Sequence, residues 1–172
     1  AAPWECIDHD GGPMREARLL VHSTLVGLEL GGRIRIGAAG KITSAYELAR
    51  IIALGADWGN AARGFMFAIG CIQSQSCHTD RCPTGVATQD PTRQRALVVS
   101  AKIDRVANFH RATLHSLSEL TAAAGLDHPM DFTLAHIARR ISPSEVVGFA
   151  DLYPALATGE LSGRTANHRW RA

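Results

Sequence analysis

Three cysteines fall within twelve residues, in the segment CIQSQSCHTDRCPTG that begins at Cys71. Five residues separate Cys71 from Cys77, and four separate Cys77 from Cys82. Thiolates are soft ligands that suit iron–sulfur clusters and zinc, and ligands this close in the chain lose little entropy when they close around one inorganic core. A four-iron cluster or a structural zinc site takes four ligands. Three cysteines alone therefore favour a three-iron cluster, and Pro83 directly after Cys82 is a feature of bacterial ferredoxin loops.

Two other interpretations of this segment stay open. His78 completes a four-ligand zinc site with the same cysteines, or the three side chains are simply free or buried thiols. Cys6, far upstream of the three, is expected to be a lone thiol. A disulfide framework is disfavoured because the cysteines are crowded and the apolar content is an ordinary 46%. We therefore expect a cytoplasmic protein.

Two glycine turns precede the cysteine segment. Gly40-Lys41 follows one predicted strand, and Gly59-Asn60 follows the next, with Arg63 at the start of the following helix. Glycine lets backbone N–H groups approach an anion closely, and phosphate-binding barrels hold phosphate at the loops after strands seven and eight. Each turn alone is more often only a turn. Two such turns one β/α unit apart, followed at once by the cysteines, predict a phosphate site beside an inorganic centre.

The elements that must position these residues follow an alternating order. Helices are predicted at Met14–Leu30, at Ala45–Leu54 behind a Ser44/Glu47 capping box, and at Ala62–Gly70, with strands at Arg33–Ala38 and Ala56–Asn60. Such alternation indicates parallel strands joined by crossover helices.

Residues 71–90 show no periodicity, and helix is predicted to resume after the Asp90-Pro91 cap. That helix covers roughly 91–123 with a break near Ser100. A short helix near 133–140 and a last helix opened by a second capping box, Ser142 to Glu145, are also predicted. The tail after Gly159 is polar and basic and is expected to be frayed.

Composition sets the outer bounds. A chain of 172 residues is about one domain, and a net charge of +2 gives no electrostatic argument for a nucleic-acid partner. No apolar run approaches the roughly 18 residues that cross a bilayer, so no membrane association is expected. The first residues carry no secretory signal and read like the middle of a loop, so we expect an upstream segment. A complete (β/α)8 barrel takes about 250 residues, and this chain can hold only part of one.

The segment from Ile34 to Val99 resembles the C-terminal part of the FMN-binding synthase domain of glutamate synthase, and it is closer to the archaeal-type, stand-alone members than to the long bacterial large subunit. The opening from Ala1 to Leu30 is similar to the sixth-strand loop and following helix of that domain. The resemblance covers about residues 1–156. Its most specific part runs from Gly70 to Asp90, where the cysteine spacing, Pro83 and the string TGVATQD match together.

The resemblance implies an α/β fold: the C-terminal part of a (β/α)8 TIM barrel with a cysteine-rich cluster loop and a helical C-terminal extension. The implied divisions are a partial FMN-binding barrel over 1–90 with its iron–sulfur loop at 71–90, the extension over 91–156, and a flexible tail over 157–172. It also implies a [3Fe-4S] cluster held by Cys71, Cys77 and Cys82. The implied FMN phosphate site comprises Gly40, Lys41, Gly59, Asn60 and Arg63.

The resemblance assigns no catalytic residue in this chain, and His9 receives no role. The loop N–H groups of residues 78–81 are expected near the cluster sulfurs. A half-barrel is also expected to self-associate through unpaired strand edges.

The implied reaction is a reductive one. Ammonia, free or derived from glutamine, and 2-oxoglutarate form 2-iminoglutarate, which is reduced to L-glutamate, so the enzyme is an oxidoreductase acting on CH–NH2 donors. Electrons come from ferredoxin or from an NAD(P)H-dependent subunit. Two alternatives remain: a non-catalytic module stabilised by zinc, and a truncated fragment that is inactive alone.

Overall fold

The computed structural model describes residues 13–162. The predictions made for Cys6, His9 and the opening segment, and those for residues 163–172, lie outside the described part of the chain. The principal elements, in chain order, are α1 (Met14–Gly27), β1 (Gly37–Ala39), α2 (Ala45–Ala53), β2 (Trp58–Asn60), α3 (Ala62–Ile69), α4 (Pro91–Gln94), α5 (Val99–Ala123), β3 (Ala138–Ser142), β4 (Glu145–Gly148) and α6 (Phe149–Leu152).

The predicted alternation of helix and strand is confirmed for the first half of the chain. β1 and β2 pair in parallel, with Gly37 opposite Trp58 and Ala39 opposite Asn60, and α2 forms the crossover between them. The ring of Trp58 covers Gly37 so closely that a Cβ there would lie 2.6 Å from it. Residues 13–162 form no closed barrel, so the (β/α)8 assignment stays a prediction.

Each of these two strands is shorter than the sequence pattern predicts. β1 begins at Gly37, four residues later than predicted, because the N–H groups of Arg33 and Ile34 donate to the Leu30 carbonyl in a turn. The bonds between that turn and the paired residues are made by Asp57. Its carboxylate accepts from the Ile36 N–H at 2.7 Å and from Arg35 Nη1 at 2.7 Å, while its own N–H donates to the Ile36 carbonyl at 2.8 Å. Asp57 thereby fixes where the two strands start to pair.

Helix α2 is the central packing element. Ser44 caps it as predicted, because its Oγ accepts from the Glu47 N–H at 3.3 Å. One side of α2 packs Ile51 with Ala38 and Ile42 under the parallel strands. The other side packs with residues of α5 and the C-terminal elements in a larger core: Ala45, Ala49, Ala53, Leu54, Leu117, Phe132, Ile137 and Phe149. Burying these apolar side chains on both sides holds the strand pair and the C-terminal part together.

The contact between α1 and α2 includes a buried cation. Arg18 is 5% exposed, and its Nη1 donates to the Ile51 carbonyl. Burial, and then repulsion from Arg50, lower the pKa of Arg18 to about 10. Its Nε and Nη2 have no hydrogen-bond partner among the described residues. This contact is therefore polar but incompletely satisfied.

The end of α1 is tied to the far end of the chain. The helix stops at Gly27, three residues before the predicted end, and the segment around Gly159 binds there. The N–H groups of Gly159 and Leu161 donate to the carbonyls of Val26 and Gly27 at 3.2 and 2.9 Å. The expectation of a frayed tail after Gly159 does not hold for Leu161, whose N–H binds the open Gly27 carbonyl at the end of α1.

The C-terminal region contains the main error of the sequence interpretation. The predicted helix near 133–140 is a single 3-10 turn, Leu134–His136, followed by β3. The predicted last helix behind the Ser142–Glu145 capping box is instead an antiparallel hairpin, in which β3 pairs with β4. Proline fits position i+1 of a β-turn as well as the first position of a helix. The β-branched residues Ile141, Val146 and Val147 favour the strand. The extension over 91–156 is thus only partly helical, and the predicted division at residue 90 stays a prediction.

The long helical region after the cysteine segment is confirmed with its break slightly displaced. Asp90 caps α4 by accepting from the Thr92 N–H at 2.8 Å, and the chain interrupts the helix over 95–98 before α5 begins. α5 packs against both α2 and α3. Within residues 13–162, no helix combines the length and the apolar character that a membrane crossing requires.

A substitution at Gly85 tests the approach of α4 to the cysteine segment. Gly85 has φ +73°, and a Cβ there would lie 2.3 Å from the carbonyl oxygen of Arg93. Gly85→Ala should lower the free energy of unfolding in urea by about 2–4 kcal/mol, from left-handed strain plus the backbone clash. Gly125→Ala is the matched control, because Gly125 has φ +71° with nothing within 4 Å, and should cost about 1–2 kcal/mol. Equal losses in the two variants would contradict the close approach.

A pH titration of stability tests the role of Asp57. The Ile36 N–H, and then the Arg35 side chain, lower the pKa of Asp57 below its ordinary 3.8. The bonds of Asp57 therefore stabilise the fold above the ordinary pKa, and the contribution is lost as the pH falls through the lowered pKa. Asp57→Asn should lower the free energy of unfolding by about 1 kcal/mol at pH 7, and the difference from wild type should shrink below about pH 4. Asp127→Asn, at an exposed carboxylate after α5, is the control and should show no such pH-dependent difference. If Asp57→Asn lowers the free energy of unfolding equally at every pH, the ionised carboxylate of Asp57 does not have this role.

Candidate functional site

A cavity of about 390 Å³ lies where the two strand-to-helix turns meet the start of the cysteine segment. We call it the Lys41–Cys77 cavity. Six of the eight site residues predicted from the sequence line it: Gly40, Lys41, Asn60, Arg63, Cys71 and Cys77. Because β1 and β2 are parallel, their carboxyl ends lie at one edge of the sheet, and the two turns are brought together there.

The first turn is shaped by its backbone. Gly40 has φ +149° and Lys41 has φ +54°, so the chain reverses sharply after β1 and leaves the Lys41 side chain exposed at the cavity. A left-handed backbone conformation costs free energy at any residue other than glycine. Lys41 has this conformation, and its cationic side chain is exposed at the cavity. The turn therefore supplies both an open backbone and a positive charge.

The second turn leads into the N-terminus of α3. Its N-cap residue, Ala61, makes no side-chain cap hydrogen bond, so the first N–H groups of the helix lack that partner. Asn60 and Arg63 line the cavity on either side of this position. No aspartate or glutamate is among the described residues that line the cavity. Free N–H groups, the helix dipole and two cations together favour an anionic group such as a phosphate.

Gly59 has a different place from its predicted one. It does not line the cavity; a Cβ at Gly59 would lie 2.4 Å from Ile51 Cδ1 and 2.8 Å from Leu48 Cδ2. Its lack of a side chain lets α2 lie directly on β2. A contact between the Gly59 backbone and a phosphate therefore stays a prediction.

The three cysteines are free thiols, and the structure brings two of them together at the cavity. Cys71 follows α3 and Cys77 begins a 3-10 turn, and both line the Lys41–Cys77 cavity. Cys82 is only 5% exposed and does not line it. Within residues 13–162, no set of three cysteine, histidine, aspartate or glutamate side chains is arranged to hold a metal ion.

Cys82 occupies a pocket of hydrogen-bond donors. Its Sγ lies 3.5 Å from the Thr84 hydroxyl. The Thr84 hydroxyl, opposed by burial and aided by the N–H groups of Ala87, Thr84 and Val86, lowers the pKa of Cys82 to about 7. Donors of this kind stabilise a thiolate, the form that binds metal. The amides that act on this sulfur thus follow the cysteine, whereas the sequence interpretation placed such amides at 78–81.

The second half of the cysteine segment is braced by Asp80. Its Oδ1 accepts from the Thr88 hydroxyl at 2.9 Å and from the Gln89 N–H at 2.5 Å. The Gln89 N–H, and then the Thr88 hydroxyl, lower the pKa of Asp80. These bonds cross-link residues eight and nine positions apart, so the part of the segment that carries Cys82 is held in a defined conformation.

The structure fits the two implied cofactors unequally. The cavity provides the cations, free N–H groups and open turn that the phosphate end of a flavin needs. For an iron–sulfur cluster, the free thiols are the right kind of ligand, but the described residues do not gather all three sulfurs. Ligation by Cys71, Cys77 and Cys82 together stays a prediction, as does a zinc site with His78.

Six further residues that line the cavity were not predicted as site residues: Ala39, Ala62, Met66, Phe67, Gln73 and Gln75. Met66 and Phe67 follow Arg63 by three and four positions, so they share its face of α3 and form an apolar wall. This helical spacing is a signal that sequence analysis could have used. Gln73 and Gln75 also line the cavity, and nothing in the unpatterned sequence around them marks them.

Comparison with known proteins places the chain. A family model described as a conserved region in glutamate synthase matches residues 1–127. The chain is 38% identical over 152 residues to the glutamate synthase large subunit-like protein YerD of Bacillus subtilis, covering 88% of this chain and 29% of the relative. It is 36% identical over 127 residues to the archaeal glutamate synthase [NADPH] of Methanocaldococcus jannaschii, covering 74% of this chain and 25% of the relative.

A ferredoxin-dependent glutamate synthase 2 from Synechocystis is 29% identical over 163 residues, covering 94% of this chain and 9% of the relative. The chain thus spans less than a third of the length of the curated relatives it matches. By the family model and these relatives together, the chain belongs to the glutamate synthase family.

Proposed function

We propose that this chain is the flavin-phosphate and thiol-bearing segment of a glutamate synthase-type oxidoreductase. The observation that carries the proposal is the Lys41–Cys77 cavity, in which two cations and an uncapped helix start lie beside two free cysteines. In the overall reaction, ammonia condenses with 2-oxoglutarate to 2-iminoglutarate with loss of water, and two electrons and two protons reduce this imine to L-glutamate. The activity belongs to a whole protein of which this chain is under a third, judged by its relatives.

The chain's own residues have distinct tasks in this proposal. Lys41 and Arg63 bind the FMN phosphate by charge-assisted hydrogen bonds, and Gly40 lets the backbone approach it. Met66 and Phe67 keep water from the apolar side of the cavity. When bound, FMN supplies hydride-transfer chemistry and an iron–sulfur cluster supplies single electrons. We place no catalytic residue in this chain.

The three cysteines are proposed as the cluster ligands. Cys71 and Cys77 already share the cavity, and the donor pocket of Cys82 favours its thiolate form. Binding all three to one [3Fe-4S] core requires the Cys82 sulfur to join the other two. The electrons come from an external donor, either ferredoxin or an NAD(P)H-dependent partner, and the ammonia is free or released from glutamine.

Flavin binding by the purified chain tests the phosphate site. FMN and riboflavin affinities are measured by quenching of flavin fluorescence. Lys41→Met and Arg63→Met should each weaken FMN binding roughly 10- to 100-fold, because each removes a charge-assisted hydrogen bond worth about 1.5–3 kcal/mol. Riboflavin, which lacks the phosphate, should bind these variants as it binds the wild type. Lys102→Met is the matched control, since Lys102 is a cation outside the cavity lining. No FMN binding by the wild type, or equal losses for both ligands, would refute the site.

Anaerobic reconstitution tests the cysteine assignment. The wild-type chain should take up about three irons with acid-labile sulfide, the content of a three-iron cluster. Cys77→Ser should abolish this uptake because two thiolates cannot hold the core, and Cys6→Ser should leave it unchanged. Wild-type iron content in the Cys77 variant would overturn the ligand assignment. One zinc per chain with no iron would instead support the zinc-stabilised module, and full cofactor content without turnover would support a fragment that is inactive alone.

A further inference from the structure

We propose that Gln73 and Gln75 are positioning residues that hydrogen-bond the neutral, riboflavin part of the cofactor. This inference rests on the proposed function, because it takes FMN as the occupant of the Lys41–Cys77 cavity. It goes beyond that function by assigning a second, uncharged half to the binding site. The two glutamines lie between Cys71 and Cys77 in the chain, and all four residues line the cavity.

Residues that line the cavity alternate with residues that do not along this stretch. Residues 71, 73, 75 and 77 line the cavity, whereas the intervening residues 72, 74 and 76 do not. Ile72 is 64% exposed, and the hydroxyls of Ser74 and Ser76 bond each other at 2.9 Å. Every second residue is therefore presented to the cavity, and the two carboxamides occupy the middle of the presented row.

Both glutamines have a left-handed backbone conformation. Gln73 has φ +55° and Gln75 has φ +57°. Glycine adopts this conformation without the steric cost that a side chain brings. Glutamine therefore carries a cost at both positions that glycine would avoid.

Gln73 and Gln75 are exposed and take no part in the internal hydrogen bonding. Among residues 13–162, neither side chain has a hydrogen-bond partner in the protein, whereas the Gln94 carboxamide donates to the Thr88 carbonyl at 2.9 Å. A carboxamide offers two N–H donors and one carbonyl acceptor. Those of Gln73 and Gln75 are open to a ligand in the cavity.

The two parts of the site match different parts of the ligand, because one part is charged and the other is not. Lys41 and Arg63 match an anionic phosphate, and uncharged carboxamides give no such preference. They match groups that both donate and accept, such as the ribityl hydroxyls and the carbonyl and imide groups of riboflavin. The cavity of about 390 Å³ is within the usual range for a small-molecule site.

Three ligands separate the two halves experimentally: FMN, riboflavin and inorganic phosphate. Gln73→Met and Gln75→Met keep the side-chain size and remove the hydrogen bonds. Each should weaken FMN and riboflavin binding alike, by roughly three- to tenfold, and should leave phosphate binding unchanged. Gln89→Met is the matched control, because Gln89 is an exposed glutamine of the same segment that does not line the cavity; it should change none of the three affinities.

Replacement by glycine separates binding from stability. Gln73→Gly and Gln75→Gly relieve the left-handed strain, so each variant should unfold at a temperature no lower than that of the wild type while binding riboflavin more weakly. A merely structural role predicts the opposite change, a lowered unfolding temperature.

The outcomes distinguish this inference from the function on which it rests. Wild-type riboflavin affinity in both methionine variants, together with the expected FMN loss in Lys41→Met and Arg63→Met, would overturn the role of the glutamines and leave the phosphate site standing. A loss confined to FMN or to phosphate would also overturn it. A wild-type chain that binds no flavin would overturn both proposals.

Discussion

The parallel pairing of β1 with β2 is the constraint on which the site depends. Opposite Ala39 lies Asn60, so both strands end at the same level and their following turns meet. A slip of one residue would move each side chain to the other face of the sheet. The pairing spans only three residues. It is stabilised by α2, which covers one face of the strands through Ile51, and by the bond of Asp57 to the Ile36 N–H directly before β1. The geometry of the cavity thus follows from packing in the core beneath it.

The cavity joins two kinds of structure. One half comes from regular elements: the ends of β1 and β2 and the first turns of α3, whose positions are set by the core. The other half comes from the irregular segment after α3, in which Cys71, Gln73, Gln75 and Cys77 face the cavity in alternation. Its far end is braced separately by Asp80. The cations and the uncharged polar side chains of the cavity are therefore supplied by different parts of the chain.

Local signals in the sequence predicted the first half of the fold well. The Ser44 cap, the Asp90 cap and the alternation of elements correspond to hydrogen bonds and pairings in the structure. The helix predicted from the Ser142–Glu145 capping box does not form, because proline followed by serine suits a turn as well as a helix start. The flanking β-branched residues favour the hairpin, and they do so through the pairing of β3 with β4. The bond from the Ile36 N–H to the Asp57 carboxylate likewise joins residues twenty-one positions apart, and no local pattern contains it.

The predictable part of the site is the part marked by residues that are close together in the sequence. Glycine turns with neighbouring cations are visible in the sequence, and Gly40, Lys41, Asn60 and Arg63 do line one cavity. Gly59 has the same local signature but serves α2 packing, a distinction that depends on Ile51 and Leu48. The glutamines carry no periodic signal, because their placement comes from left-handed backbone angles rather than from a helix or strand repeat.

The bonds of Gly159 and Leu161 to the end of α1 have a kinetic consequence. Ser162 and Gly27, which also contact through the Ser162 hydroxyl, are 135 residues apart in the chain. Joining such distant points closes a very long loop, which costs conformational entropy. This cost is offset only after the elements between the two points have folded. We therefore expect residues 159–162 to dock onto α1 late in folding.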